Sequence, residues 1–314
     1  MTSYVVATAF GGPEVLTVRD ETLGEPGPGR VLLDVAAAGV NPIDVKVYSG
    51  NMGADSSSLP MRLGFEVAGV VRAIGPDAVG PAGPVQVGDE VIAYRVAGGY
   101  AERVLVRASA ILPKPASLSF TQAAGLMLTG TTAIHTLTAT GVQHDDTVLV
   151  HGAAGGVGLM AVQLAKARGA HVIGTASLGR HDALRRFGVQ PVEYGDGLIE
   201  RIRELGETVT VAIDCVGSDE AVDSCLALVD DRSRIATIAA FGRAREVDIR
   251  ALGGGPGADP GTEVRDAARL ELVSLVEEGQ LEVLVAGTFP LAQAADAHRA
   301  SISGHTNGKL VLVP

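Results

Sequence analysis

Two patterns of apolar positions divide the chain. From Val5 to about Lys114, short β-rich runs (VLLDVAAAGV, FEVAGVVRAIG, VGDEVIAY, YAERVLV) alternate with turn clusters. This is the grammar of strands joined by tight reversals. The loops GEPGPGR and GPDAVGPAGPVQVGD carry the Gly and Pro that such reversals need. After Ser119 the pattern changes. TVLVHG, HVIGTA, QPVEYG, TVAIDCVG and SRIATIAAFG are short and mostly Val/Ile-rich, as strands buried on both faces of a parallel sheet should be. Between them lie the helical stretches VGLMAVQLAKARG, HDALRRFG, LIERIRELG and SDEAVDSCLALVD, several of which close on Gly. Such alternation predicts an α/β fold with a doubly wound parallel sheet and right-handed crossovers. Beyond about Pro260 come the helix RDAARLELVSLVEEG, then FPLAQAADAHRASISG, then KLVLVP, a strand with no helix after it. That tail is expected to return to the first domain. The expected division is therefore 1–120 with 260–314 as a split, β-rich domain, and 121–259 as the parallel-sheet domain.

Composition narrows the class. A chain of 314 residues suggests about two domains. With 46% hydrophobic residues, 19% charged and 41 glycines, it has the profile of a soluble α/β enzyme and not of a disordered chain. A formal net charge of -11 gives neither nucleic acid nor an anionic membrane an electrostatic footprint, so a small-molecule partner is expected. An anionic cofactor would then need helix amides and local positive charge. Only Cys215 and Cys225 are present, so neither a disulfide framework nor a cysteine-based zinc cluster is expected. The opening MTSYVVATAF has no secretory pattern, and no apolar run approaches the roughly 20 residues of a membrane span. A cytoplasmic location is expected.

The most informative segment is TVLVHGAAGGVGLMAVQLAKARGA. A strand ends at His151, Gly152 to Gly158 make the turn, and an amphipathic helix follows. Read against the dinucleotide fingerprint, Ala153, Gly155 and Gly158 fill the three small positions, with Ala in place of the first Gly. The backbone at Ala154, Gly155, Gly156, Val157 and Gly158 is expected to lie against a pyrophosphate at the helix N-terminus. NAD-binding versions place an acidic residue about 20 positions on, to hold the ribose diol. From Leu159 to His181 there is no Asp or Glu, while Ser177, Arg180 and His181 offer donors and charge. This favours NADPH.

The runs AAGVNPIDVKVYSG, LGFEVAGVV, VGDEV, GGYAE, LTGTTA, HGAAGGVG and GKLVLVP stand in an order and spacing that resembles the quinone oxidoreductase (zeta-crystallin-like) branch of the medium-chain dehydrogenase/reductase superfamily, over nearly the whole chain. The resemblance implies a GroES-like catalytic domain interrupted by a Rossmann domain, a cleft between them, and a homodimer. Zinc-dependent relatives place Cys where this sequence has Asn41 and His where it has Phe65, in the motif Gly64-Phe65-Glu66. An amide is a poor zinc ligand and a phenyl ring is none, so a zinc-free site is expected. The resemblance further implies that Asn41 lies near the nicotinamide, Thr129 near its ribose or phosphate, Tyr194 beside the ribose phosphate and Lys309 near the nicotinamide half. Cys215 and Val216 would end the fourth strand against the cofactor, and Ala240, Phe241 and Gly242 would line it after the fifth. Tyr48 departs from the family, whose members often carry Arg there.

With no metal and no flavin signature, hydride transfer from the nicotinamide to a quinone is the expected chemistry. Asn41, Lys46 and Tyr48 are the candidate catalytic residues, with Lys46, Tyr48 or water as proton donor. Two alternatives stay open: a reductase of α,β-unsaturated carbonyls such as enones or enoyl thioesters, and an NADPH-binding sensor without turnover.

Overall fold

The computed structural model describes residues 1–51, 53–304 and 306–314. The chain forms two compact units. One comprises Met1–Leu128, Arg269–Gly279 and Val283–Pro314; the other comprises Thr129–Ala268 and Gln280–Glu282. The units meet at 128/129 and 268/269, each inside a helix, Met127–Ala139 and Thr262–Glu277, where composition does not shift.

In the first unit, a seven-stranded sheet runs in the order Ile111–Pro113, Glu90–Tyr94, Glu66–Ile74, Arg30–Val40, Lys309–Val313, Val285–Pro290. The seventh strand, Arg103–Arg107, pairs with Arg30–Val40 along Arg30 to Asp34, and the C-terminal strand pairs with it along Ala38 to Val40. One long strand thus serves two partners in turn, and register shifts at Leu32/Leu33 and Val35/Ala37 bend it. Its alternate residues Val31, Leu33 and Val35 point into a core shared with Val67, Val71, Val91, Val104, Val106, Leu310 and Leu312. The strand Val285–Pro290 was not legible in the sequence: its burial alternates without a fully buried residue, and Gly287 and Pro290 weaken its β signal.

The second unit holds a six-stranded, all-parallel sheet ordered Gln190–Val192, His171–Thr175, Thr147–His151, Val211–Asp214, Ile235–Thr237, Arg250–Ala251. Counted along this unit, the order is 3-2-1-4-5-6, the Rossmann arrangement, with its switch point between the first and fourth strands. The helix Gly156–Ala167 packs on the first two strands. SRIATIAAFG, read as one strand, is a strand only over Ile235–Thr237. The Thr237 hydroxyl accepts the amides of Ala239 (3.1 Å) and Ala240 (2.9 Å), which turns the chain out of the sheet into the helix Phe241–Val247.

Candidate active site

Every candidate cofactor residue of the parallel-sheet unit other than Thr129 follows the carboxyl end of a strand, where ligands of such sheets bind. Gly152, at φ +69°, makes the turn after Thr147–His151. The left-handed conformation thus falls one residue before Ala153, which is buried. At Gly158 a Cβ would run into the Gly152 carbonyl, so this glycine lets the helix start close to the strand. At Gly155 a Cβ would meet nothing nearer than that same carbonyl at 3.3 Å, so the loop is open on its outer side. Gly155 caps the helix without a side-chain hydrogen bond. Ala154, Gly156 and Val157 are half-buried around it. Open main chain at an uncapped helix N-terminus fits a pyrophosphate.

A buried polar layer that sequence reasoning missed supports this edge. His151 bonds Thr175 (Nδ1 to Oγ1, 3.2 Å) and Ser224 (Nε2 to Oγ, 3.0 Å), while Thr175 Oγ1 accepts the Gly152 amide at 3.3 Å. Ser224 donates to the Ala221 carbonyl, so it accepts from His151 Nε2, which fixes the tautomer. Burial lowers the His151 pKa to about 4, against the attraction of Asp214. Asp214 accepts the amides of Val216 (2.8 Å) and Gly217 (2.9 Å) on one oxygen and the Thr237 hydroxyl (2.6 Å) on the other. One carboxylate thereby shapes the turns that carry Cys215, Val216 and Ala240.

Ser177 is exposed and Arg180 half-buried on the short 3-10 turn after the second strand. His181 is buried, its Nε2 bonding the Ala176 carbonyl at 3.2 Å, so it holds the turn. Tyr194 is half-exposed after the third strand, on a loop that Arg201 pins through the carbonyls of Glu193, Gly195 and Asp196. Val216 and Gly242 are exposed, Cys215 and Phe241 half-buried, and Ala240 and Thr129 buried.

In the β-rich unit, Asn41 and Lys309 meet at Glu66. Lys309 Nζ donates to Asn41 Oδ1 (2.5 Å), Glu66 Oε1 (2.9 Å) and the Val40 carbonyl (3.3 Å), which engages all three ammonium hydrogens. Asn41 Nδ2 donates to Glu66 Oε1 (3.0 Å) and the Gly39 carbonyl (3.3 Å). Glu66 Oε2 accepts the Leu128 amide at 2.8 Å. All three side chains are buried. Gly39 makes room: a Cβ there would press on Glu66 and the Ala124 carbonyl. Asn41 also starts the helix Pro42–Tyr48, with Pro42 in its first turn. Asp44, three residues on, accepts the Asn41 amide (2.8 Å) in the manner of a capping box.

Asp44 is fully buried. Burial pushes its carboxyl up to about 7, against bonds from the Asn41 amide and the Tyr100 hydroxyl, the charge of Lys309 and the Gly64 amide. His298 lies between Tyr100 (3.1 Å) and Tyr48 (2.9 Å), with its pKa lowered by burial to about 4. Tyr48 is enclosed beside His298. Its side chain has no exposure, its hydroxyl bonds His298, and burial followed by the charges of Asp44 and Glu14 raises its pKa to about 12. Lys46 is half-buried, and burial lowers its pKa.

Among the described residues, no group of three or more His, Cys, Asp or Glu is placed to hold a metal, and no helix is long and apolar enough to cross a membrane. A parallel 3-2-1-4-5-6 sheet with an open glycine loop, together with a GroES-like β unit carrying a buried Lys-Asn-Glu cluster, defines an oxidoreductase of the medium-chain dehydrogenase/reductase class. Residues 27–116 match the family described as the alcohol dehydrogenase GroES-like domain, and residues 156–254 the family described as zinc-binding dehydrogenase. The quinone oxidoreductase of Pseudomonas aeruginosa is 34% identical over 334 aligned positions, covering 100% of both chains. The chain belongs to the quinone oxidoreductase branch of this superfamily. The solved Escherichia coli quinone oxidoreductase, in complex with NADPH, is 30% identical with a TM-score of 0.85, covering 99% of this chain and 100% of that one. The CurK enoyl reductase is 26% identical with a TM-score of 0.84, covering 99% of each chain.

Proposed function

We propose that this protein uses NADPH to reduce quinones, without zinc. The observation that carries the cofactor choice is the end of the second parallel strand, where Ser177 and Arg180 stand and no carboxylate intervenes between Leu159 and His181. Bound NADPH supplies the hydride. The main chain from Gly152 to Gly158 holds the pyrophosphate, Ser177 and Arg180 take the ribose phosphate with Tyr194 beside it, and Asn41 and Lys309 serve the nicotinamide half. An electron-poor quinone carbon accepts hydride without strong Lewis-acid help. The residues at hand do not fit zinc: Asn41 is a poor ligand, Phe65 has no donor atom, and the cation beside Asn41 is the Lys309 ammonium. Lys309 has no hydrogen left for substrate and Tyr48 is enclosed, so Lys46 or water delivers the proton. A homodimer through the edge of the parallel sheet is expected from the family, to be read by light scattering.

The likeness to an enoyl reductase favours a second reading, reduction of enones or enoyl thioesters. Steady-state assays of the purified protein with NADPH or NADH against quinones, enones and enoyl thioesters decide among them. Quinones with NADPH are expected to give the highest kcat/KM. A higher value with enones selects the second reading, and tight NADPH binding with no oxidation across the panel would make the protein a sensor.

A further inference from the structure

We infer that Glu66 is the positioning residue of the site: it fixes the amide of Asn41 as a hydrogen-bond acceptor and holds Lys309 as its cation. This rests on the proposed use of NADPH. The bond pattern allows one orientation of the Asn41 amide. Its nitrogen faces the Glu66 carboxylate and the Gly39 carbonyl, and its oxygen faces Lys309 Nζ. Turning the amide over would set NH2 against an ammonium and an oxygen against a carboxylate. Both amide hydrogens are spent inside the protein, so Asn41 has only a lone pair of Oδ1 left to offer. That suits a ligand N–H, such as the carboxamide of a nicotinamide, and rules out donation from Asn41 to an acceptor carbonyl. Glu66 also ties the Leu128 amide to residues far away in sequence, so one buried carboxylate sets the end of a strand, the start of the C-terminal strand and the first turn of a helix. It acts through Asn41 and Lys309, not on substrate.

The test is a double-mutant cycle of Glu66→Gln and Lys309→Met, read by kcat/KM and by the fluorescence emission of bound NADPH. Glu66→Gln removes the counter-charge of a buried ammonium. It is expected to lower kcat/KM about ten- to hundred-fold and to shift the nicotinamide emission. In the Lys309→Met background the same change should cost less, because only the bond to Asn41 is then lost. If Glu66→Gln does not melt cooperatively, Glu66→Asp replaces it, which keeps the charge and should lower kcat/KM and shift the emission less than Lys309→Met does. Additive losses, or a Glu66 variant whose kcat/KM and emission match those of the parent, would overturn the inference. A parent that reduces no quinone, yet shows coupled emission shifts, would overturn the quinone reading and leave Glu66 in its role.

Discussion

The buried titratable side chains make the clearest demands at the scale of residues. His151 and His298 are held neutral, with pKa values near 4, whereas in the unfolded chain each takes up a proton below about 6.5. Between those values the unfolded state binds more protons, so each contributes stability that is lost as pH falls through the window, with a slope of up to about 1.4 kcal/mol per pH unit. Asp44 has the opposite sign. Its native carboxyl stays protonated up to about 7 while the unfolded one ionises near 3.8, so its contribution is present at low pH and lost as pH rises through 7. Denaturant melts across pH 4 to 8 should therefore show the parent losing stability relative to Asp44→Asn as pH rises from about 4 to 7. A difference flat in pH would place the Asp44 titration elsewhere. Arg180→Ala is expected to raise the KM for NADPH about ten- to hundred-fold and to leave that for NADH nearly unchanged, since a charge-assisted bond to phosphate is worth about 1.5–3 kcal/mol.

At the scale of elements, the uncapped helix Gly156–Ala167 separates stability from binding. Gly155 has extended backbone angles, φ -80° and ψ 174°, and a Cβ there would meet one atom, the Gly152 carbonyl oxygen, at a tight 3.3 Å. Asp and Gly N-caps differ by only a few tenths of a kcal/mol, so Gly155→Asp should leave stability near that of the parent while its carboxylate abolishes NADPH binding. Thermal melts and NADPH titration read the two effects on one sample. The same loop shows what could be read from sequence. Its glycines and the Val/Ile strands around it were legible because each records a local requirement, for turn, contact or burial. The helix Phe241–Val247 and the strand Val285–Pro290 were not, because a hydroxyl-made turn and a half-exposed strand leave no periodic trace.

At the scale of the whole molecule, the C-terminal strand Lys309–Val313 lies between Arg30–Val40 and Val285–Pro290, so the β-rich unit closes only with the last residues of the chain. A chain ending at 306 should lose cooperative melting of that unit, which circular dichroism would register. This distance along the chain also explains why the site was only partly legible. Asn41 and Lys309 were named through a resemblance, but their meeting at Glu66 joins residues up to 268 positions apart, and no spacing rule reaches that far. His298 likewise bonds Tyr48 across 250 positions, a contact that no local pattern records.

The proposed activity depends most on a phosphate-bearing cofactor at the carboxyl ends of the parallel strands. Its most direct test is the ratio of kcat/KM for NADPH to that for NADH with one quinone under identical conditions. A ratio well above one, falling toward one in Arg180→Ala, is the predicted result; a parent that prefers NADH would contradict it.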